Sequence, residues 1–205
     1  MNTHLPTNAA KFDDATIHSS VQNAIDASWA KPFNLPEPQV DLDAYFARIG
    51  YDGPREASLE VLRDLHALHP AHIPFEAINV LCRKGVSLNP DDVDRKIIFD
   101  GRGGYCFEQN GLFRRVLRSL GFEVESLAGR VLWGYSESDG PRPRCHMAMR
   151  VTLDGEAWLV DVGLGGCVPT APLLLGVSVP QVTPHDTFRV RERNGRYLTE
   201  LERVG

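Results

Sequence analysis

The chain has 205 residues, of which 42% are hydrophobic and 24% are charged. This composition is typical of a globular protein and excludes collagen, coiled coil and intrinsic disorder. The net charge of −5 lacks the basic footprint of most nucleic-acid-binding proteins, and no apolar run approaches the roughly 18 residues of a membrane-spanning helix. We therefore expect neither a nucleic-acid partner nor a membrane partner.

Residues 1–38 are predicted to be an amino-terminal extension that ends in a proline-spaced linker. Apolar residues recur every four positions from Ile17 to Trp29, which predicts one amphipathic helix in this segment. The segment has no apolar core of the kind found in secretory signals. Because the four cysteines also include no CxxC pair, we expect a reduced, cytoplasmic protein.

Residues 39–121 show the period of amphipathic helices and are predicted to form a helical bundle. Asp or Ser precedes the apolar stripes, and Gly or Pro follows them, as expected of helix caps and breakers. The helices are expected within residues 41–50, 58–70, 91–99 and 105–121. The second is expected to end at Pro70, because proline lacks the N–H that a helix interior needs.

Three histidines, His66, His69 and His72, lie near the end of the second predicted helix. Pro70 is expected to interrupt the helix that would align them, and no Cys or carboxylate lies at the spacing of a metal ligand. We therefore interpret the three side chains as solvated histidines and predict no metal site.

After residue 121 the apolar period changes from about 3.6 residues to about 2, which is typical of strands. Strands are expected over residues 123–128, 130–135, 146–153, 156–160, 188–193 and 196–202. Asp154-Gly155 and Asn194-Gly195 are strong signals for two-residue hairpin turns. Residues 122–205 are therefore predicted to form an antiparallel β-barrel-like domain, and the chain is assigned to the α+β class.

Cys106 is a candidate nucleophile because it lies where a glycine-bearing loop leads into a helix. The helix dipole and the free backbone N–H groups at such a position favour the thiolate and can hold a developing oxyanion. The two preceding glycines would let a substrate approach the backbone closely. The alternative is a structural role, since cysteine is often a small buried apolar residue.

His146 and Asp161 are the candidate base and the carboxylate that orients it. Counting outward from the predicted turn, Leu153 faces Glu156, and Asp161 lies opposite Ala148. His146 is then a diagonal neighbour of Asp161 on the same face of the sheet. The alternative is a strand-end histidine and a turn aspartate without a catalytic role.

Four ordered segments resemble the motifs of the arylamine N-acetyltransferase family. They read IPFEAIN at residues 73–79, RGGYCFEQN at 102–110, CHM at 145–147 and LVDVGLGG at 159–166. Ala77 stands where the family usually has Asn, and Cys145 stands where Ser or Thr is common. The resemblance covers roughly residues 40–205, and four motifs in order are far more specific than one.

The resemblance implies a papain-like cysteine transferase core with Cys106 as nucleophile, His146 as base and Asp161 as orienting carboxylate. It also implies a ping-pong reaction. Cys106 would take the acetyl group from acetyl-CoA, and an arylamine, arylhydrazine or hydrazine would then accept it.

The resemblance further implies supporting and binding residues. Glu76 would pair with Arg102 beside the nucleophile and position its loop. The binding residues implied are Phe75, Val131 and Leu132 for the acceptor, and Gly163, Gly165 and Gly166 for acetyl-CoA.

Members of the family usually continue into a third, α/β domain, and we expect that domain to be absent here. Two other functions stay open. The same order of Cys, His and Asp serves papain-like thiol hydrolases and transglutaminases. A truncated, inactive family member would instead expose an apolar face and form a homo-oligomer.

Overall fold

The computed structural model describes residues 38–134, 136, 140, 142–193 and 195–202. The amphipathic helix predicted between Ile17 and Trp29 lies outside the described residues, as does the linker up to residue 37. Glu37–Tyr135 and Arg142–Gly205 form one compact unit, which carries every feature discussed below. The other unit, Met1–Pro36 with Ser136–Pro141, falls almost wholly outside the described residues.

Helices come first along the described chain and strands second, as the change in apolar period predicts. The helices are α1 (Leu42–Ile49), α2 (Leu59–His72), α3 (Ile78–Leu81), α4 (Pro90–Asp94), which continues into a π-helical turn (Arg95–Phe99), and α5 (Cys106–Ser119). The strands are β1 (Glu123–Gly129), β2 (His146–Leu153), β3 (Glu156–Val160), β4 (Leu173–Leu174), β5 (Gln181–Val182), β6 (Thr187–Arg193) and β7 (Arg196–Glu202). The α+β class is confirmed. No helix in this part of the chain is both long enough and apolar enough to span a bilayer.

The bounds of α1 follow from its caps, and its end at Gly50 is as predicted. The Asp41 carboxylate accepts the N–H of Ala44 at 3.0 Å, which satisfies a donor that the first turn leaves free. Gly50 ends the helix at a φ of 70°, a left-handed conformation that glycine adopts without strain. Between the caps, Tyr45 is fully buried in the core.

The end of α2 differs from the prediction, because Pro70 lies inside the helix and the helix continues to His72. Pro70 has no N–H to donate to the carbonyl of His66, so one hydrogen bond of the helix is missing. The N–H of Ile73 still donates to the carbonyl of His69 at 2.8 Å, and Ile73 is itself buried. Tertiary packing therefore outweighs the local cost of the proline.

The prediction that the three histidines are solvated is wrong for two of them. His66 and His69 are fully buried, and only His72 is exposed. The two residues are three positions apart in α2 and share its buried face, where His69 contacts the Tyr45 hydroxyl and His66 accepts the backbone N–H of Asp161. Among the described residues, no three His, Cys, Asp or Glu side chains are grouped so as to hold a metal ion.

The strands form two antiparallel sheets, ordered β1-β2-β3-β4 and β5-β6-β7. The predicted β2–β3 register is confirmed, since Leu153 pairs with Glu156. Asp154 and Gly155 have φ values of 51° and 81°, as a tight hairpin turn requires. The last pair of this ladder joins Met149 to Val160, so Asp161 is the first residue beyond it.

Two expectations for the β region are not met. Residues 130–134 follow β1 as a loop, in which the Arg130 Nε donates to the carbonyl of Arg142 at 2.6 Å and Gly134 has a φ of 66°. The strand predicted over residues 130–135 is therefore wrong for its described part. The described residues also form no closed barrel, because β4 and β5 have only two residues each and are too short to continue a ladder around one.

The main core lies between the helices and the first sheet, and α5 contacts β1 and β2. A second, smaller cluster joins the two sheets and contains Leu159, Leu173, Leu175, Phe188 and Val190. The first turn of α5, the start of β2 and the end of β3 are thereby brought together. These three places carry Cys106, His146 and Asp161.

Candidate active site

Cys106 is the first residue of α5 and is buried, with 8% of its surface exposed. The Glu108 carboxylate accepts the N–H of Tyr105 at 3.0 Å and closes the first turn of the helix. The Cys106 Sγ lies 3.6 Å from the carbonyl oxygen of Cys145. As the first residue of α5, Cys106 lies at the positive end of the helix dipole, in the turn whose backbone N–H groups have no partner within the helix.

His146 lies between Cys106 and Asp161. Its Nε2 is 2.5 Å from the Asp161 Oδ2, and the Cys106 side chain is near enough to the ring to raise the pKa of His146. Burial lowers the pKa of His146, but the hydrogen bonds to Asp161 and Cys106 outweigh burial and raise it to about 10. These partners favour the imidazolium form of His146.

Asp161 uses both oxygens of its carboxylate. Oδ2 faces His146, and Oδ1 accepts the Nδ2–H of Asn110 and the backbone N–H of Gly163, each at 2.9 Å. Asp161 is buried, with 5% of its surface exposed. Two donors on one oxygen fix the orientation of the other oxygen toward the imidazole.

Asn110 joins α5 to both strands that carry the other two residues. Its Nδ2 also donates to the carbonyl of Met147 at 2.6 Å, and its Oδ1 accepts the N–H of Val162 at 3.0 Å. Asn110 lies within the motif at residues 102–110, but no role was predicted for it. The signal that could have identified it is its spacing, because residues i and i+4 share a helix face and Asn110 lies four residues after Cys106.

Charged side chains hold the glycine loop that precedes α5. The Arg102 Nη2 lies 2.7 Å from the Glu76 Oε1, so the implied pair is formed. Lys96, which the sequence analysis missed, lies 3.3 Å from Glu76 and 2.8 Å from Glu108. Burial opposes ionisation of Glu76, but the N–H of Ile78 and the two cations outweigh it and lower the pKa of that carboxyl.

A buried chain of hydrogen bonds ties the same loop to the core. The Gln109 Nε2 donates to the carbonyl of Gly104 at 2.8 Å, so its Oε1 is left to accept from the His69 Nε2 at 3.2 Å. His69 therefore carries its proton on Nε2, and its Nδ1 accepts the hydroxyl of Tyr45 at 2.8 Å. No sequence pattern predicts these hydrogen bonds, because the three side chains are far apart in sequence.

The implied binding residues are only partly brought together. Phe75 is 48% exposed, and its ring lies next to Gly165, on which an added Cβ would be 3.5 Å from the ring. Gly163 lies against the backbone of Cys106, where an added Cβ would be 2.9 Å from Cα, and Gly166 faces open space. Val131 and Leu132 lie in the loop after β1, and none of the described hydrogen bonds joins them to the triad.

The two buried histidines of α2 are expected to make the fold sensitive to acid. Burial lowers the pKa of His66 to about 4 and that of His69 to about 3, although Asp161 and Gln109 partly oppose the shift. A histidine of the unfolded chain protonates near pH 6.5, so the unfolded state binds more protons below that pH. The free energy of unfolding should therefore fall on acidification from about pH 6.5 to about pH 4, by about 1 kcal/mol per pH unit for each histidine.

Urea unfolding at several pH values measures this loss. His72→Ala is the control, because its side chain is exposed on the same helix and the variant should keep the slope of the parent. A free energy of unfolding that stays constant over this pH range would contradict the assignment of both histidines as buried and neutral.

Comparison with known proteins shows which family the chain resembles. A family model described as N-acetyltransferase matches residues 58–205. The arylamine N-acetyltransferase of Escherichia coli (strain K12) is 42% identical over 160 residues, which cover 78% of this chain and 56% of that protein. That of Mycobacterium tuberculosis (strain ATCC 25618 / H37Rv) is 41% identical over 157 residues, which cover 75% of this chain and 56% of that protein.

Solved structures agree as well. The arylamine N-acetyltransferase of Salmonella typhimurium superimposes with a TM-score of 0.76 at 37% identity, covering 81% of this chain and 60% of that one. The Mycobacterium marinum enzyme in complex with CoA gives a TM-score of 0.75 at 38% identity, covering 78% and 60%. The chain spans about 56% of the length of the curated relatives it matches. By family model, sequence and fold, it belongs to the arylamine N-acetyltransferase family.

Proposed function

We propose that this chain transfers an acetyl group from acetyl-CoA to the amine of an arylamine, arylhydrazine or hydrazine by a ping-pong mechanism. The observation that carries the proposal is the arrangement of His146, whose Nε2 lies 2.5 Å from the Asp161 Oδ2 and whose pKa the Cys106 side chain helps to raise. The names of the relatives and the CoA bound to one of them support the choice of donor and acceptor.

In the first half-reaction, the Cys106 thiolate attacks the carbonyl carbon of the acetyl thioester. A bond forms between this carbon and Sγ, and the carbon's bond to the CoA sulfur breaks. Backbone N–H groups at the start of α5 are suited to stabilise the oxyanion that develops. His146 gives its proton to the departing CoA sulfur and becomes neutral, which leaves an acetyl-cysteine.

In the second half-reaction, the amine nitrogen attacks the acetyl-cysteine carbonyl. The neutral imidazole of His146 accepts the proton that the nitrogen loses, and Cys106 leaves as a thiolate. Asp161 keeps the ring oriented and stabilises its charge throughout. The resting thiolate and imidazolium are thereby restored, and atoms and charges balance over the cycle.

We assign the acceptor to a surface around Phe75, Val131 and Leu132, and CoA to the loop of Gly163, Gly165 and Gly166. The exposed ring of Phe75 beside Gly165 supports this assignment, because a flat apolar surface suits an aromatic amine. The open space at Gly166 allows a ligand to approach the backbone.

We also propose that the catalytic residues are divided between two domains, in a papain-like arrangement. Residues 39–121, a helical bundle, would carry the nucleophile, and residues 122–205 would carry the base and the carboxylate. Residues 1–38 would be an extension outside this catalytic unit. The four free cysteines support a cytoplasmic location.

Incubation with acetyl-CoA tests the proposed function directly. The intact protein should gain the mass of one acetyl group, and peptide mapping should place it on Cys106. Aniline should then remove the group and appear as acetanilide. The other cysteines, Cys82, Cys145 and Cys167, serve as internal controls that should stay unmodified. A folded chain that gains no acetyl group, or one that aniline does not discharge, would show that the proposal is wrong.

A further inference from the structure

We propose that His66 is a positioning residue of this site, whose Nε2 holds the backbone of Asp161 and thereby aligns the carboxylate with His146. The proposal rests on the proposed catalytic function of Cys106, His146 and Asp161. His66 lies on α2, outside all four sequence motifs. Its ring nevertheless reaches the end of β3, where the Asp161 N–H donates to its Nε2 at 3.2 Å.

The position of Asp161 in the sheet explains why its backbone needs this acceptor. The β2–β3 ladder ends with the pair of Met149 and Val160, so Asp161 lies one residue beyond the last pair. Strand pairing no longer holds the backbone there. The His66 ring supplies an acceptor at this point, while Asn110 and Gly163 hold the carboxylate itself. The 2.5 Å contact with His146 depends on both sets of bonds.

The contact also specifies the protonation of His66. Because the Asp161 N–H is the donor, the His66 Nε2 must carry a lone pair, and the neutral ring has its proton on Nδ1. His69, one turn away, carries its proton on the other ring nitrogen. The two neighbouring histidines are therefore opposite tautomers, each selected by its own partner.

The second ring nitrogen of His66 is unpaired, which indicates that stability alone does not explain a histidine at this position. His66 is fully buried, and its Nδ1 has no hydrogen-bond partner in the part of the chain that the structure describes. A leucine would fill similar space without burying an unpaired donor. We therefore explain the histidine at this position by its Nε2, the atom that accepts the N–H of Asp161.

The pH dependence of Cys106 alkylation by iodoacetamide tests this role without acetyl-CoA. In His66→Leu the carboxylate loses its alignment and the imidazolium is less stabilised. We expect the pH midpoint of alkylation to rise by about one unit and the rate at pH 6 to fall about tenfold. His66→Gln keeps an oxygen acceptor and should stay within about threefold of the parent at pH 6.

The matched control is His72→Leu, since the His72 side chain is exposed on the same helix and its described contact, from Nδ1 to the carbonyl of Leu68, lies within that helix. It should keep the alkylation profile of the parent. A folded His66→Leu with an unchanged profile would overturn the proposal, as would a His66→Gln variant that is equally impaired. Circular dichroism and urea unfolding establish that each variant is folded.

A measurement on the unmodified protein covers the case in which His66→Leu fails to fold. Long-range ¹H–¹⁵N NMR spectra distinguish the two neutral tautomers, and His66 should have its proton on Nδ1 with Nε2 accepting a hydrogen bond. Finding the proton on Nε2 would overturn the proposal.

The parent protein separates this inference from the proposed function. If its Cys106 reacts at pH 6 no faster than the exposed Cys82 and Cys145, the proposed ion pair and the proposed function both fail. If Cys106 reacts rapidly and selectively in the parent and in His66→Leu alike, only the positioning role of His66 fails.

Discussion

Asp161→Asn is expected to lower kcat/KM for acetyl transfer by about 10³- to 10⁴-fold while leaving the protein folded. The reason lies in the two donors on the Asp161 Oδ1, which come from Asn110 and Gly163. In the variant, the amide oxygen takes this place and the amide NH₂ faces the His146 Nε2. Nε2 must then accept a hydrogen bond, so the neutral imidazole carries its proton on Nδ1, the nitrogen left to face Cys106. That tautomer cannot take a proton from the thiol.

Steady-state kinetics at saturating acetyl-CoA measure this loss. The control is Asp154→Asn in the exposed turn between β2 and β3, which removes the same charge where asparagine tolerates the φ of 51°. It should keep kcat/KM within about twofold of the parent. A loss of less than tenfold in Asp161→Asn would show that the charge of Asp161 is not required.

Gly103→Ala is expected to lower the free energy of unfolding by about 3 kcal/mol and to slow the labelling of Cys106. A Cβ on Gly103 would overlap the carbonyl oxygen of Pro74. That oxygen accepts hydrogen bonds from the Gly104 N–H at 3.3 Å and the Gln109 Nε2 at 3.4 Å. Because the obstacle is backbone rather than a flexible side chain, the loop must move and both bonds are strained or lost.

Gly111→Ala is the matched control for this variant. Gly111 lies inside α5, and a Cβ there would meet nothing within 4 Å. The substitution should raise the free energy of unfolding by up to about 1 kcal/mol, because alanine favours the helix. Urea unfolding of both variants makes the comparison. Gly103→Ala as stable as the parent would show that the loop yields without strain.

Much of this site could be predicted from interactions between residues that are close in sequence or paired across a hairpin. Asp41 and Gly50 set the bounds of α1, and the turn at Asp154-Gly155 set the register that brings His146 and Asp161 together. In each case the deciding interactions lie within a few residues of one another, or are carried across a hairpin by strict pairing. The fold class followed from the change in apolar period.

The parts that could not be predicted depend on distant partners. The cost of Pro70 inside α2 is local, but the burial that outweighs it comes from the whole core. His66 has its partner just after β3, and His69 has its partners in α1 and α5, so helical periodicity could not predict their surroundings. The alternation of apolar and polar residues likewise predicted a strand after Gly129. The segment is instead a loop, in which the Arg130 Nε donates to the carbonyl of Arg142.

The charged groups at the glycine loop have a consequence for redesigning this protein. Glu76, Lys96, Arg102 and Glu108 combine two positive and two negative charges, and most of them are shielded from water. Any single neutral substitution leaves one full charge uncompensated in a poorly solvated place beside the loop that precedes Cys106. These positions are therefore best exchanged in pairs of opposite sign, so that the loop can be altered without changing the electrostatic potential at Cys106.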